Sequence, residues 1–339
     1  MPTNAPPGTD RQPRRRRLTA SQRRIWPTAD GAPDFDLTCP GERRVAIAGD
    51  WESNLDAVHA ILRTLTNTAP DVRTILHLGD LRYEAPVLVG GKQVFLRNTI
   101  VRLDALLNEF GIRRLLLTPG NHDWPEQLHA EVTRHPDRPY RISQRIWVLP
   151  RGFRFRLGTT TFLSFGGAAS LNKGPGDRGW SMHEAPTADD VDRASAAGTT
   201  DVLLTHEAPD VHIREVDDIL RAASTWPAAR LRASATSRAL VTELLRNVAP
   251  KYAFHGHMHV DGETDRNGTS TYSLAILGKP RNIGIFDVHE SHFSWLDQIS
   301  SMVGKSDAAN RSRTARTART ARTDDDSHDD SARHGPTTV

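Results

Sequence analysis

Five short polar clusters, far apart in the chain, carry the side chains best suited to chemistry. They are Gly49-Asp50-Trp51-Glu52, Gly79-Asp80-Leu81-Arg82-Tyr83, Gly120-Asn121-His122-Asp123, His206, and Gly256-His257-Met258-His259. Together they offer carboxylates, an amide oxygen and imidazoles, with no thiolate. An oxygen- and nitrogen-rich set without sulfur suits hard or borderline divalent cations such as Mn, Fe, Zn or Ni. The glycine ahead of Asp50, Asp80, Asn121 and His257 lets the chain turn sharply and brings backbone close to whatever those side chains hold. His257 and His259, at alternate positions, point to opposite sides of an extended segment and could serve two ions; if the segment bends, both turn inward.

Each cluster follows an apolar run that reads as a strand: Arg44 to Ala48, Thr74 to Leu78, Arg114 to Thr118, Val202 to Thr205 and Tyr252 to Phe254. Between the first three lie two amphipathic patterns. Asn54 to Leu65 places Leu55, Val58, Ile61 and Leu62 on one face, with Ser53 as the expected cap, and Phe95 to Phe110 stops at Gly111. This β-α-β-α-β run predicts a parallel core with right-handed crossovers. The carboxyl ends of such strands gather on one edge, so the clusters are expected to converge there. Arg145 to Val148, Phe153 to Leu157 and Thr160 to Phe165 suggest an antiparallel portion. A helix over Ser237 to Val248 and strands over Tyr272 to Ile276 and Ile283 to Val288 complete two packed sheets with helices outside.

In this order the clusters resemble the calcineurin-like metallophosphoesterase superfamily. Its pattern is Asp-x-His, Gly-Asp-x-x-Asp, Gly-Asn-His-Asp/Glu, a lone His, then Gly-His-x-His. The resemblance spans about residues 44–290 and rests mainly on Gly120-Asn121-His122-Asp123 and Gly256-His257-Met258-His259 standing in the right order after strands. It implies an α/β fold, two packed mixed β-sheets flanked by helices in a four-layer αββα sandwich. It also implies two divalent metal ions, Mn foremost, with Fe, Zn, Ni or Mg as the other candidates. Asp50 and His259 would bind the first ion, Asp80 would bridge both, and Asn121, His206 and His257 would bind the second. His122 would contact the scissile phosphate or protonate the leaving oxygen, with Asp123 orienting its ring. The implied activity is metal-dependent phosphoester hydrolysis, as a phosphatase or phosphodiesterase, with a bridging hydroxide attacking in line between ions roughly 3.5–4 Å apart.

Two positions depart from that pattern. Glu52 stands where the first motif has histidine; as a metal ligand it would add negative charge and favour harder ions such as Mn or Mg. Tyr83 stands where the second motif has its last Asp. Purple acid phosphatases, a branch of the same superfamily, place a tyrosinate ligand there, so Tyr83 is an alternative to Glu52. Arg82 reads equally as a phosphate-holding cation or a surface side chain. His77 and His255 read as core residues, and His183 and Glu184 as part of a solvated Gly- and Pro-rich loop over 166–186. His257 to Asp261 also matches part of the metallo-β-lactamase signature, but Gly262 replaces its last histidine and the match falls late in the chain.

The whole chain has 339 residues and a net charge of +3, with a single cysteine, Cys39. One cysteine excludes a disulfide scaffold. No apolar run reaches the roughly 20 residues of a spanning helix, so no membrane contact is expected. Residues 1–24 hold seven Arg against Asp10, and residues 305–339 hold seven basic residues against six Asp, which leaves 25–304 at −4. The basic excess is in the tails, and the body offers no broad basic face. The expected organisation is a disordered basic tail over 1–40, a catalytic domain over 41–300, and a low-complexity tail over 301–339 with the Arg-Thr-Ala repeat of 311–323. Arg14 to Arg17 lack a following apolar stretch, so a cytoplasmic location is expected. Two other functions stay open: a metal-binding protein with weak or no catalysis, prompted by Glu52, and a nuclease-type phosphodiesterase recruited to nucleic acid by its Arg-rich tails.

Overall fold

The computed structural model describes residues 35–83, 87–89, 92–94, 99–124, 126–222 and 226–299. In chain order the elements are β1 (Phe35–Asp36), β2 (Arg44–Ala48), α1 (Leu55–Thr68), β3 (Thr74–His77), β4 (Val87–Val89), β5 (Lys92–Val94), α2 (Thr99–Glu109), β6 (Arg114–Leu117), a 3-10 turn at Asn121–Asp123, α3 (Glu126–Arg134), β7 (Tyr140–Arg141), β8 (Ile146–Val148), β9 (Phe153–Leu157), β10 (Thr160–Phe165), α4 (Ala188–Ser195), β11 (Val202–Thr205), α5 (Arg214–Arg221), α6 (Ala228–Val248), β12 (Tyr252–His255), β13 (Gly262–Arg266), β14 (Thr269–Ser273), β15 (Ile283–Asp287) and β16 (His292–Trp295).

Two seven-stranded mixed sheets form, in the orders β16-β15-β2-β3-β6-β8-β7 and β1-β9-β10-β11-β12-β14-β13. The period of two along each strand explains why both faces are apolar. Val45 and Ile47 of β2 face the other sheet, with Phe155, Phe162, Phe254 and Phe286 in the shared layer. Ala46 and Ala48 of the same strand face outward, under α1 and α2. In β11, Val202 and Leu204 point between the sheets, while Leu203 packs with Val241, Leu244 and Val248 of α6. The result is the expected four layers: helices, sheet, sheet, helices.

The helices follow the same logic. On α1, Val58, Leu62 and Leu65 are buried at spacings of four and three. Each contributes about 1.5–3 kcal/mol by leaving water. Its N-cap is Asn54, whose side chain accepts from the Ala57 N–H at 3.2 Å, rather than the expected Ser53. Ser53 adopts a φ of 61° and belongs to the turn before the helix.

Other boundaries moved for identifiable reasons. Asn267 and Gly268, with φ of 52° and 81°, form a tight hairpin turn between Arg266 and Thr269. This turn places the strand expected over Tyr272 to Ile276 at Thr269–Ser273 instead. Helix α6 begins at Ala228, nine residues before the expected Ser237, directly after Pro227. Phe35 and Asp36, expected in the N-terminal tail, pair with Phe155 and Arg156 of β9. Leu37, expected in the same tail, is fully buried in the layer between the sheets. Residues 1–34, the expected tail over 301–339, and the start of the helix expected from Phe95 lie outside the described residues. No described helix is long and apolar enough to cross a membrane.

Candidate metal centre

The parallel strands β2, β3 and β6 of one sheet, and β11 and β12 of the other, end beside one another. The polar clusters that follow them therefore converge. Three overlapping groups of side chains have donor atoms within 4.8 Å of one another: Asp80 with His206 and His257, Asp50 with Asp80 and His259, and Glu52 with Asp80 and His122. Asp80 is common to all three. Asp50, Asp80 and His206 are out of solvent, and Asn121 nearly so.

The contacts knit these groups together. His206 Nε2 lies 3.4 Å from Asp80 Oδ1 and 2.9 Å from Asn121 Oδ1, while its Nδ1 bonds the Leu78 carbonyl at 2.7 Å. Asn121 in turn donates its amide to Ser170 Oγ at 2.8 Å, which aims its oxygen at His206. His259 Nε2 is 3.1 Å from Asp50 Oδ2. The Asp80 carboxylate accepts the His122 backbone N–H at 2.9 Å.

The backbone around the cluster is strained. Of the eleven described non-glycine residues with positive φ, six flank the site: Glu52, Ser53, Asp80, Arg82, His257 and His259. Left-handed conformations of this kind persist where surrounding structure enforces them, and they gather at functional sites. The turns at His257 (φ 67°) and His259 (φ 57°) bend the segment. Both rings therefore face the cluster, in two of the three donor groups, as in the second of the two geometries open from the sequence. Gly120 and Gly256 permit the close approach: a Cβ on Gly120 would collide with Asp80 Oδ1, and one on Gly256 with Asp50 Oδ1.

The electrostatics are those of a site built for cations. Burial pushes the Asp80 carboxyl up, but the charge and hydrogen bond of His206 outweigh it and hold the carboxyl low. Burial alone would lower His206, yet Asp80 and then Asp50 raise it to about 10. Without a cation, the carboxylates keep a proton on His206. A divalent ion would displace it, since a metal-bound imidazole must be neutral. Burial, with the neighbouring His206, pushes His257 well below its ordinary value. Its buried Nε2 has no hydrogen-bond partner. An unsatisfied buried nitrogen costs about 1–3 kcal/mol and calls for a partner. An orphaned imidazole nitrogen facing carboxylates fits a divalent ion held by oxygen and nitrogen donors.

Other predicted residues take different places. Glu52 lies at the rim, where the Arg82 guanidinium pairs with its Oε2, and its Oε1 is 3.8 Å from His259 Nε2. Tyr83 is buried in the apolar layer beneath α1 and α2. Burial raises its hydroxyl's pKa, followed by Tyr140, with no contribution from the site carboxylates. Its side chain packs among Leu81, Ile100 and Leu103 in that layer. Asp123 is fully buried, and its carboxylate accepts the backbone N–H groups of Leu81 (3.2 Å), Tyr83 (2.9 Å) and Gly120 (3.0 Å). Its expected contact with the His122 ring is thus replaced by support of the Asp80 turn, because the neighbouring amides claim both oxygens. Burial and Asp80 raise Asp123 to about 6.

The partner of the His122 ring is Lys173, whose Nζ is 2.5 Å from Nδ1. Burial, joined by Lys173 and Arg82, overrides the opposing pull of Asp80 and lowers His122 to about 4. The sequence reading missed Lys173, along with Ser170 behind Asn121 and Glu207, whose Oε1 is 3.9 Å from His257 Nε2. All three sit in or beside segments without periodicity. The one available signal for Lys173 was its rarity: five Lys stand among 44 basic residues. Glu184, expected in a solvated loop, is buried and accepts from Ser170 and Ser181 backbone N–H groups.

The model of the calcineurin-like phosphoesterase family matches residues 43–261, which include every residue of this cluster. The chain belongs to the calcineurin-like phosphoesterase family. It is a metallophosphoesterase, a hydrolase of phosphate esters. No curated protein matches the phosphoesterase significantly. Among solved structures it is similar to a protein of Thermus thermophilus, with 14% identity, a TM-score of 0.44, and coverage of 74% of this chain and 97% of that one. A dimetal phosphatase from Danio rerio shares 12% identity, with a TM-score of 0.43 and coverage of 72% and 92%. An archaeal phosphodiesterase shares 11% identity, with a TM-score of 0.34 and coverage of 74% and 97%.

Proposed function

We propose that this phosphoesterase hydrolyses its ester, as a phosphatase or phosphodiesterase, with two divalent cations, Mn²⁺ foremost, held side by side and sharing Asp80. The observation that carries this reading is the membership of Asp80 in all three donor groups. Asp50 and His259 would complete one site, with Glu52 at its rim. Asn121, His206 and His257 would complete the other. Cations bound there supply Lewis acidity toward the ester and an activated water nucleophile.

The chain's own residues supply the rest. Asp80 and Asp50 provide the charge that draws cations into a buried pocket. Ser170 and the Leu78 carbonyl orient Asn121 and His206, as outer partners orient ligands in metal sites generally. His122 Nε2 faces the cluster, 3.9 Å from Asp80 Oδ2. From there it would donate a hydrogen bond to a phosphoryl oxygen or to the leaving oxygen. Asp123 would act from behind, fixing the turn that presents Asp80. The phosphoester is the proposed partner, and a cytoplasmic location is part of the same reading.

The test is hydrolysis of one aryl phosphomonoester and one aryl phosphodiester by the full chain, with Mn²⁺ and with chelator, alongside metal analysis. Turnover that requires the metal, with two ions per chain, is the expected result. A chain that hydrolyses either ester equally well in chelator would overturn it.

A further inference from the structure

We propose that Lys173 is a positioning residue for the reaction, holding the His122 ring in the tautomer whose Nε2–H faces Asp80; this rests on the reading of His122 above. An ammonium has three donors and no acceptor. At 2.5 Å from Lys173 Nζ, His122 Nδ1 must therefore offer its lone pair. The ring proton then lies on Nε2, on the side of Asp80 Oδ2 at 3.9 Å. A carboxylate in the same place would draw the proton to Nδ1 and leave Nε2 an acceptor. Lys173 thus makes the neutral ring a donor toward the cluster, and Asp123 is left to its backbone amides.

The loop carrying Lys173 is strapped, so the ammonium is presented rather than tethered. Arg151, partly buried, donates to the carbonyls of Gly166 (2.7 Å), His183 (2.9 Å), Glu184 (3.0 Å) and Ala185 (3.1 Å), tying both ends together. Gly167, at φ 97°, passes so close that a Cβ would collide with the Glu184 carbonyl. Glu184 closes the interior by accepting from Ser170 N–H at 3.0 Å. A second donor of Lys173 reaches the Gly179 carbonyl at 3.3 Å.

Two readouts on the full chain test this. In ester hydrolysis with Mn²⁺, Lys173→Met should lower kcat ten- to a hundredfold, with KM and metal content within about twofold. Lys173→Arg should recover part of the loss. Adding Lys173→Met to His122→Ala should cost nothing more, since the lysine acts through the ring. Losses that multiply in the double variant, or parent-like kcat in Lys173→Met, would overturn the proposal. The second readout is the pair of ring ¹⁵N shifts of His122, identified by their loss in His122→Gln, with and without metal. The parent should show protonated Nε2, and Lys173→Met should move toward a mixture of tautomers. If the parent proves inactive, the reading of the site fails, and the shifts decide Lys173 alone: an unchanged tautomer in Lys173→Met would overturn its role.

Discussion

The carboxylate of Asp80 and the imidazole of His206 meet at 3.4 Å, with both side chains out of solvent and each backed by a different sheet. In a buried place this pairing is strong, and a cation that replaces the His206 proton inherits it. Asp80→Asn keeps the shape but removes the charge common to all three donor groups. The expected outcome is loss of metal from both sites, read by metal analysis after desalting. Full occupancy in that variant would sink the shared-ligand role.

His122→Ala should separate binding from turnover. Its side chain lies 3.9 Å from Asp80 and belongs to the cluster's edge, with Asp80, Asn121 and His206 held by other contacts. Metal content should stay within about twofold of the parent while kcat falls about 10²- to 10⁴-fold. Equal turnover by the two proteins would exclude His122 from the reaction.

Glu52 is shared between Arg82 and the site. The guanidinium neutralises it, and its other oxygen is 3.8 Å from His259 Nε2. Arg82→Met should release the carboxylate toward the cation and tighten Mn²⁺ binding several-fold by titration calorimetry. An unchanged affinity would mean that Glu52 stays beyond the ion's reach.

Acid should destabilise the metal-free protein through two histidines outside the donor set. Burial pushes His77 down to about 3 and His255 to about 4. Their unfolded values are near 6.5, so below that pH the unfolded chain takes protons that the folded chain refuses. The stability they contribute is complete above about pH 6.5 and is lost as pH falls toward 4 and then 3. Each contributes a slope of about 1.4 kcal/mol per pH unit within that window. Urea midpoints in chelator should drop from pH 6.5 to 5, and His255→Gln should flatten the fall. An identical slope in that variant would contradict the assignment.

A buried ion pair far from the chemistry offers a check on the fold itself. Arg114, fully buried in β6, donates to Glu42 at 2.8 Å and to Thr74 Oγ1 at 2.7 Å. Glu42→Ala strands the guanidinium and should cost about 3–5 kcal/mol in urea unfolding. Glu42→Leu with Arg114→Met should cost much less, because no buried charge is left unpaired. A single variant as stable as the parent would show that the pair is solvated.

Much of this was legible in the residues. The strands Arg44–Ala48, Phe153–Leu157, Thr160–Phe165 and Val202–Thr205 match their expected ranges, because strands covered on both faces write themselves as unbroken apolar or strictly alternating runs. The Asn267-Gly268 turn was readable but overlooked, and it shifted a strand. Helix α4 is short and polar, and only its capping box, Thr187 with Asp190, announces it. At the site, the strand ends dictated convergence of the five clusters. Which carboxylate faces which ring was not dictated, because Asp123's partners are backbone amides and Lys173 arrives from a loop with no period.

The division of the site between the sheets gives it a mechanical meaning. Asp50, Asp80 and Asn121 hang from one sheet, His206, His257 and His259 from the other, so any ion joining them is a clasp across the sandwich. Occupancy then adds RT ln(1 + [M]/Kd) to the docking of the two halves, about 2.7 kcal/mol at a hundredfold excess over Kd. The coupling runs both ways. A cavity cut among Phe162, Phe254 and Phe286, none of them a ligand, should first announce itself as leaking metal.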